Sequence, residues 1–217
     1  MPRTGLAPEE IRERAIAIAR LLIRDRGPDR LRLTDVAREM DVSHTALYAH
    51  FPNKAALLDA VLAQWLSDPE EKLAAFAATP NPDAVRMKEW LVLLHRLKVE
   101  RATSDPQLYA AVNTATVRET PAARAHVAAL LDQLGSLAAA TGLPAPAASA
   151  ALLFEATALY HHPALIGQFG GEARVDALER LVDVLVTGIC GVELAGMRRL
   201  TAQELHEIRL FAHDEGQ

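Results

Sequence analysis

A chain of 217 residues and 23.5 kDa suits one large domain or two small ones, and 50% apolar residues are enough to bury a real core. The net charge of −5 and pI of about 5.9 exclude a coat protein that binds nucleic acid without regard to sequence. One cysteine, Cys190, excludes an intrachain disulfide and points to a reducing, cytosolic setting.

Ala and Leu dominate, β-branched and aromatic residues are sparse, and no alternating strand pattern stands out, so an all-α fold is expected. Pro8, Glu9 and Glu10 open a first helix whose apolar face is Ile11, Ala15, Ile18, Ala19, Leu22 and Ile23, and Gly27-Pro28 ends it. Leu33, Val36, Ala37 and Met40 mark a short second helix. Asp41-Val42 forms a tight turn, and Ser43 is a good N-cap for a third helix through about His50. Asn53 caps a fourth, with Leu57, Leu58, Val61, Leu62 and Trp65 as its buried stripe. After Asp68-Pro69, helices are expected at about 70–78, 82–103, 106–119, 121–141, 146–169, 173–196 and 201–213, separated by Pro- and Gly-bearing breaks. The start MPRTGLAPEE lacks the apolar core of a signal peptide. The uncharged stretch around 134–154 is interrupted by Gly142, Pro144 and Pro146, so two helices meeting at a loop are expected there, with no membrane partner.

Charge divides unevenly along this plan. Residues 1–54 hold ten Lys/Arg against eight Asp/Glu, and the remainder holds thirteen against twenty. A weakly basic head on an acidic body hints at one end that faces a polyanion. Two short helices joined by a turn, following a longer one, are the layout of a helix-turn-helix.

The stretch HTALYAHFPNK, residues 44–54, carries more hydrogen-bonding tips than a short buried helix needs. With Ser43 as cap, Leu47 and Phe51 face inward one turn apart. His44, Thr45 and Tyr48 then lie on or near the outer side, and Ala46 and Ala49 keep that side slim enough for a major groove about 12 Å wide. His44 and Thr45 stand at the helix start, the end that meets base edges in helix-turn-helix proteins. Tyr48 can offer its hydroxyl to a phosphate. Lys54 follows the Asn53 cap, where a cation loses roughly 0.3–1 kcal/mol against the helix dipole, a placement that makes sense beside a phosphate. Each tip taken singly also fits an ordinary solvated face; the ordered combination is what singles the segment out.

RLRLTDVAREMDVSHTALYAHFPNKAALLDAVL resembles the DNA-binding region of the tetracycline-repressor (TetR) family of bacterial transcriptional regulators, most specifically in LYAHFPNKAALL. Residues 9 to 66 carry the likeness; the rest is similar in length and helical organisation. The resemblance implies a helix-turn-helix DNA-binding domain over 1–66 and a larger helical effector-binding and dimerisation domain over 67–217. It places Thr34, His44, Thr45 and Ala46 near bases or adjoining backbone, counts the cap Ser43 among the DNA-binding residues, and sets Tyr48, His50 and Lys54 on the phosphate side, with packing against its own domain as the alternative for His50. The chain departs from the family pattern with Arg32 where Thr is frequent and Asp41 where Gly is frequent. Asp tolerates a left-handed turn, while Arg32 weakens a cap and offers a phosphate contact.

The same resemblance implies a homodimer reading two half-sites of a double-stranded operator, about 34–36 Å apart or a multiple of it. Its seam is expected in helices 146–169 and 173–196, whose Ala150, Ala151, Gly188 and Gly191 permit close approach. It also implies a small-molecule effector in the second domain, acting by unequal affinity for two states. Tyr109, Val112, Asn113 and Thr116 fall at i, i+3, i+4 and i+7, and Trp90, Leu94, Phe154, Thr157 and His161 are candidate neighbours in an apolar pocket with polar tips. The competing reading makes these residues self-satisfied core.

No cofactor or metal is expected. Adjacent His161 and His162 on a helix point about 100° apart and do not converge on one ion, and His95 and His126 read as structural or surface residues. An enzyme finds no support in metal-protease, phosphate-loop or nucleophile-elbow motifs. The remaining readings are a repressor released by an effector, an activator using the same contacts, and a constitutive DNA-binding dimer.

Overall fold

In the computed structural model, residues 7–78, 84–113, 120–169 and 174–191 are described, and every regular element among them is helical. The expected helix at 201–213, the candidate Thr116 and the second half of the expected helix 106–119 lie outside these residues. Helix α1 (Pro8–Arg26) starts as a helix should: Pro8 needs no N–H partner there, and the Glu10 carboxylate accepts the Ala7 N–H at 2.7 Å. Gly27, at φ 80°, ends it. Its buried stripe is Ile11, Ala15, Ile16, Ala19 and Ile23, with Ile18 and Leu22 half-buried at the edge.

A 3₁₀ turn, Pro28–Arg30, leads to α2 (Leu33–Met40). Asp41 adopts the left-handed conformation, φ 56° and ψ 43°, as the turn requires. Ser43 then caps α3 (His44–Tyr48), its Oγ accepting the Ala46 N–H at 3.2 Å. Asn53 caps α4 (Lys54–Ala77) in the same way through Ala56, at 2.9 Å.

Helix α4 runs unbroken through Pro69, against the expected break at Asp68-Pro69 and the separate helix at 70–78. A proline cannot give an N–H to the carbonyl four residues back, which here belongs to Trp65. Arg101 Nη1 donates to that oxygen instead, at 2.6 Å, and Ser67 Oγ donates to the neighbouring Gln64 carbonyl at 2.9 Å. The Arg101 donor takes the place of the missing N–H while the helix stays continuous.

Helices α5 (Ala84–Ser104), α6 (Pro106–Val112), α7 (Pro121–Ala140), α8 (Pro146–Ala156), α9 (Pro163–Phe169) and α10 (Val175–Gly191) follow. The expected single helix over 146–169 is divided. After α8, Thr157 Oγ1 turns back onto the Leu153 carbonyl at 2.7 Å, a 3₁₀ turn spans Ala158–Tyr160, and Pro163 starts α9. Ala150, assigned to the dimer seam, is fully buried within its own chain beside Gly135. Gly188 and Gly191 on α10 are exposed.

Buried side chains gather into two clusters. The first joins α1–α3 and the start of α4 to Leu108, Tyr109 and Ile166. The second joins Leu73 at the end of α4 to Trp90, Leu94, Leu134, Leu153, Leu178 and Val182. Helix α4 belongs to both, and Pro69 falls between its two contributions.

Candidate nucleic-acid interface

Helix α3 has only five residues, too few to be stable alone. It stands because Leu47 and Phe51 are 0% and 1% exposed and Ser43 holds its first turn. Arg12, which nothing in the sequence singles out, closes its far end. Its guanidinium donates to the His50 carbonyl at 3.3 Å and lies 4.8 Å from the Phe51 ring centroid. His50 is half-buried at this junction.

The outward face is polar. His44 and Thr45 are exposed, Ala46 is half-buried between them and the core, and Tyr48 is 48% exposed. Arg32 and Thr34, at the start of α2, are exposed too, and Arg32 makes no side-chain cap. Among the described residues none of these polar side chains has a hydrogen-bond or ion-pair partner. Lys54 differs. Its Nζ donates to the Asp29 carbonyl at 2.7 Å, which offsets its place at a helix N-terminus and ties α4 to the turn before α2. The ammonium keeps two further donors. The structure thus brings Thr34, His44, Thr45, Tyr48 and Lys54 to the outside of one compact head, with Ser43 serving as the cap.

Candidate effector residues fall in two places. Tyr109 lies in the first cluster, edge-on to Trp65 at 6.0 Å between ring centroids; its hydroxyl donates to the Pro163 carbonyl at 3.1 Å, and burial pushes the phenol up to about 12. Asn113 Nδ2 donates to the Tyr109 carbonyl at 2.7 Å. Trp90 and Leu94 are fully buried in the second cluster, and Trp90 Nε1 donates to Gln133 at 3.2 Å. Phe154 packs there too, and its ring lies 4.2 Å from that of His161. His161 Nε2 bonds the Phe154 carbonyl at 2.9 Å, and burial pushes its imidazole down to about 4. Thr157 is fully buried and bonded to Leu153.

His126, expected as a lone structural or surface residue, is buried and stands in a polar row with the half-buried Lys98 and Glu70. Lys98 Nζ donates to His126 Nε2 at 2.9 Å, and His126 Nδ1 donates to the Glu70 carboxylate. Burial pushes His126 down to about 3, with Lys98 adding to the effect, and pushes Lys98 down to about 8 against the pull of Glu70. Burial also raises Glu70. The row ties α4, α5 and α7 together. Among the described residues, no group of three or more His, Cys, Asp or Glu could hold a metal ion, and no helix is long and apolar enough to cross a membrane.

A family model described as bacterial regulatory proteins, tetR family, matches residues 15–61. A second, tetracyclin repressor-like, C-terminal domain, matches residues 84–182, and the two together take in more than half of the chain. No curated protein matches it. Among solved structures, a tetR-family regulator from Streptomyces coelicolor aligns with a TM-score of 0.56 and 18% identity, covering 97% of this chain and 100% of that one. A putative transcriptional regulator from Pseudomonas aeruginosa PAO1 aligns at 0.61 and 12% identity, covering 87% and 94%. The regulator FadR from Bacillus subtilis, solved in complex with stearoyl-CoA, aligns at 0.56 and 16% identity, covering 82% and 98%. At such identities these likenesses concern the fold; the two family models carry the assignment, and the chain belongs to the TetR family of DNA-binding transcriptional regulators, which are not enzymes.

Proposed function

We propose that this chain is a ligand-responsive repressor. A homodimer occupies a palindromic operator through its two heads, residues 1–66, and a small molecule bound within residues 67–217 releases it. The observation that carries the DNA-binding part is the outer face of α3, where His44, Thr45 and Tyr48 extend into solvent with no partner among the described residues. In this reading His44, Thr45 and Ala46 meet base edges, while Arg32, Thr34, Tyr48, His50 and Lys54 face the backbone. The exposed face of α10, with Val184 69% exposed beside Gly188 and Gly191, supports a dimer seam there. The stearoyl-CoA bound by FadR, which shares the fold, supports a small-molecule effector for this chain. The cytoplasm is the compartment in which such a regulator meets DNA.

One observation favours a second reading, a constitutive DNA-binding dimer: Trp90, Tyr109, Asn113, Thr157 and His161 already pair their polar atoms inside the protein. One experiment separates the readings. Selection of bound duplexes from a random pool should return an inverted repeat, bound with an affinity that falls steeply as salt rises. A chemically diverse compound panel is then added to the complex. Release by at least one compound supports the repressor, and no release by any supports the constitutive dimer. A pool that yields no enriched sequence overturns both.

A further inference from the structure

We propose that Arg101 is a positioning residue for operator binding: it completes α4 at the proline break and so fixes the angle at which the second domain holds the reading head. The proposal rests on the reading of the chain as a DNA-binding regulator and names the contact that sets its geometry.

Helix α4 is the lever. It begins at Lys54, directly behind α3, and reaches the second core at Leu73. Pro69 sits between its two clusters and leaves the Trp65 carbonyl without its helical donor. A proline kink is a point of bending unless another group occupies that oxygen. Arg101, from α5, occupies it in a three-way grip. Nη1 donates to the Trp65 carbonyl at 2.6 Å, Nη2 pairs with Asp68 at 3.2 Å, and the guanidinium lies 5.0 Å from the centroid of the Trp65 ring. Both residues flank the break on its head side. Directly after the proline, Glu70 is held by His126. The second domain therefore grasps α4 on both sides of Pro69.

The leverage is large. From Asn53 to Pro69 a helix extends about 24 Å, so a 10° change at the break moves the far end of α4 by about 4 Å, with the packing of the head against Leu108 and Tyr109 yielding alongside it. That is close to the rise of one base pair, about 3.4 Å. A dimer whose heads wander by this much loses its preference among half-site spacings, even with every base contact intact.

Pro69→Ala supplies the logic of the test. It restores an N–H to the Trp65 carbonyl and makes the Arg101 donation redundant. Spin labels are placed on Arg14→Cys, which lies on the exposed side of α1, and on the native, exposed Cys190 of α10, with labelled chains diluted in unlabelled protein. The wild-type background and Pro69→Ala should each give one narrow head-to-body distance. Arg101→Met should broaden or displace it by several ångströms, and Arg101→Met with Pro69→Ala should be narrow again. In parallel, the selected operator is offered with its half-sites moved one base pair inward and outward. The wild-type chain should discriminate at least tenfold, Arg101→Met less than threefold, and the double variant as Pro69→Ala does. A purely stabilising role would lower the melting temperature without altering either profile. An unchanged distance in Arg101→Met, or a double variant as broad as the single, overturns the proposal. If Arg101→Met alone does not fold, Arg101→Gln, whose amide ends about where the Arg Nε lies and so falls short of both the Trp65 carbonyl and Asp68, takes its place under the same criteria. Failure of the wild-type chain to bind any duplex removes the DNA-binding reading instead, and the label distances still decide whether the grip exists.

Discussion

Polar tips on the head and polar tips in the second domain look alike along the chain and do opposite things in three dimensions. On α3, His44, Thr45 and Tyr48 point away from a fully buried pair, Leu47 and Phe51. In the second domain, His126, His161, Thr157 and Trp90 point inward, and each bonds a carbonyl or side chain of the same molecule. A polar atom buried without a partner costs roughly 1–3 kcal/mol, so the interior ones must be paired. The exterior ones have water and can exchange it for DNA. Burial, rather than residue type, separates a reading surface from a brace.

The contrast can be broken most forcefully from beneath. Phe51 is 1% exposed, packed under α3 and against Arg12. Phe51→Ala should cost about 3–5 kcal/mol in chemical denaturation and abolish operator binding, although Phe51 has no surface to offer DNA. Retained binding with a loss below about 1 kcal/mol would mean that α3 does not depend on this core.

The second prediction concerns the inward half. His126 and His161 are pushed down to about 3 and about 4 from the ordinary 6.5, in both cases first by burial. As pH falls below 6.5 the unfolded chain takes up these protons and the folded chain refuses them. Stability present above about pH 6.5 is therefore lost toward pH 4, at about 1.4 kcal/mol per pH unit for each histidine. Glu70, whose pKa burial raises, takes up its proton early in the folded state and offsets part of that slope. Denaturation midpoints at pH 7, 6 and 5 should fall steadily, and His126→Gln should flatten the decline by about half. Equal stability at pH 7 and pH 5 would show that these imidazoles are not held neutral inside.

The head was legible because its determinants are local. Asp41 in a left-handed turn, Ser43 and Asn53 as caps, and Leu47 with Phe51 one turn apart all act within a few residues. The second domain depends on partners far apart in the chain. Local rules read Pro69 as a helix end, yet the group that keeps α4 whole, Arg101, is 36 residues from the carbonyl it serves. His126 meets Glu70 across 56 residues and Lys98 across 28, and no short window contains that row. The stretch 146–169 is mostly apolar, so its periodicity did not reveal the turn after Ala156; the local signal is Pro163, which cannot continue a helix from the residues before it and starts α9. Arg12 has no local signature either, since its partner carbonyl is 38 residues away.

The smallest effect on the fold gives the sharpest view of the surface. Tyr48→Phe removes one exposed hydroxyl with no partner among the described residues, so stability should stay within about 0.5 kcal/mol of the parent. If the hydroxyl meets a phosphate, operator affinity should fall by a similar factor for every sequence tested. Lys54→Ala serves as the contrast, because Lys54 already donates to the Asp29 carbonyl and anchors α4 to the turn before α2. It should lower affinity, reduce the salt slope by about one and also destabilise the head by about 1 kcal/mol. Tyr48→Phe is thus the cleaner probe of the outward face: a loss of affinity with no loss of stability places the hydroxyl on DNA, and unchanged affinity leaves Tyr48 an ordinary solvated tyrosine.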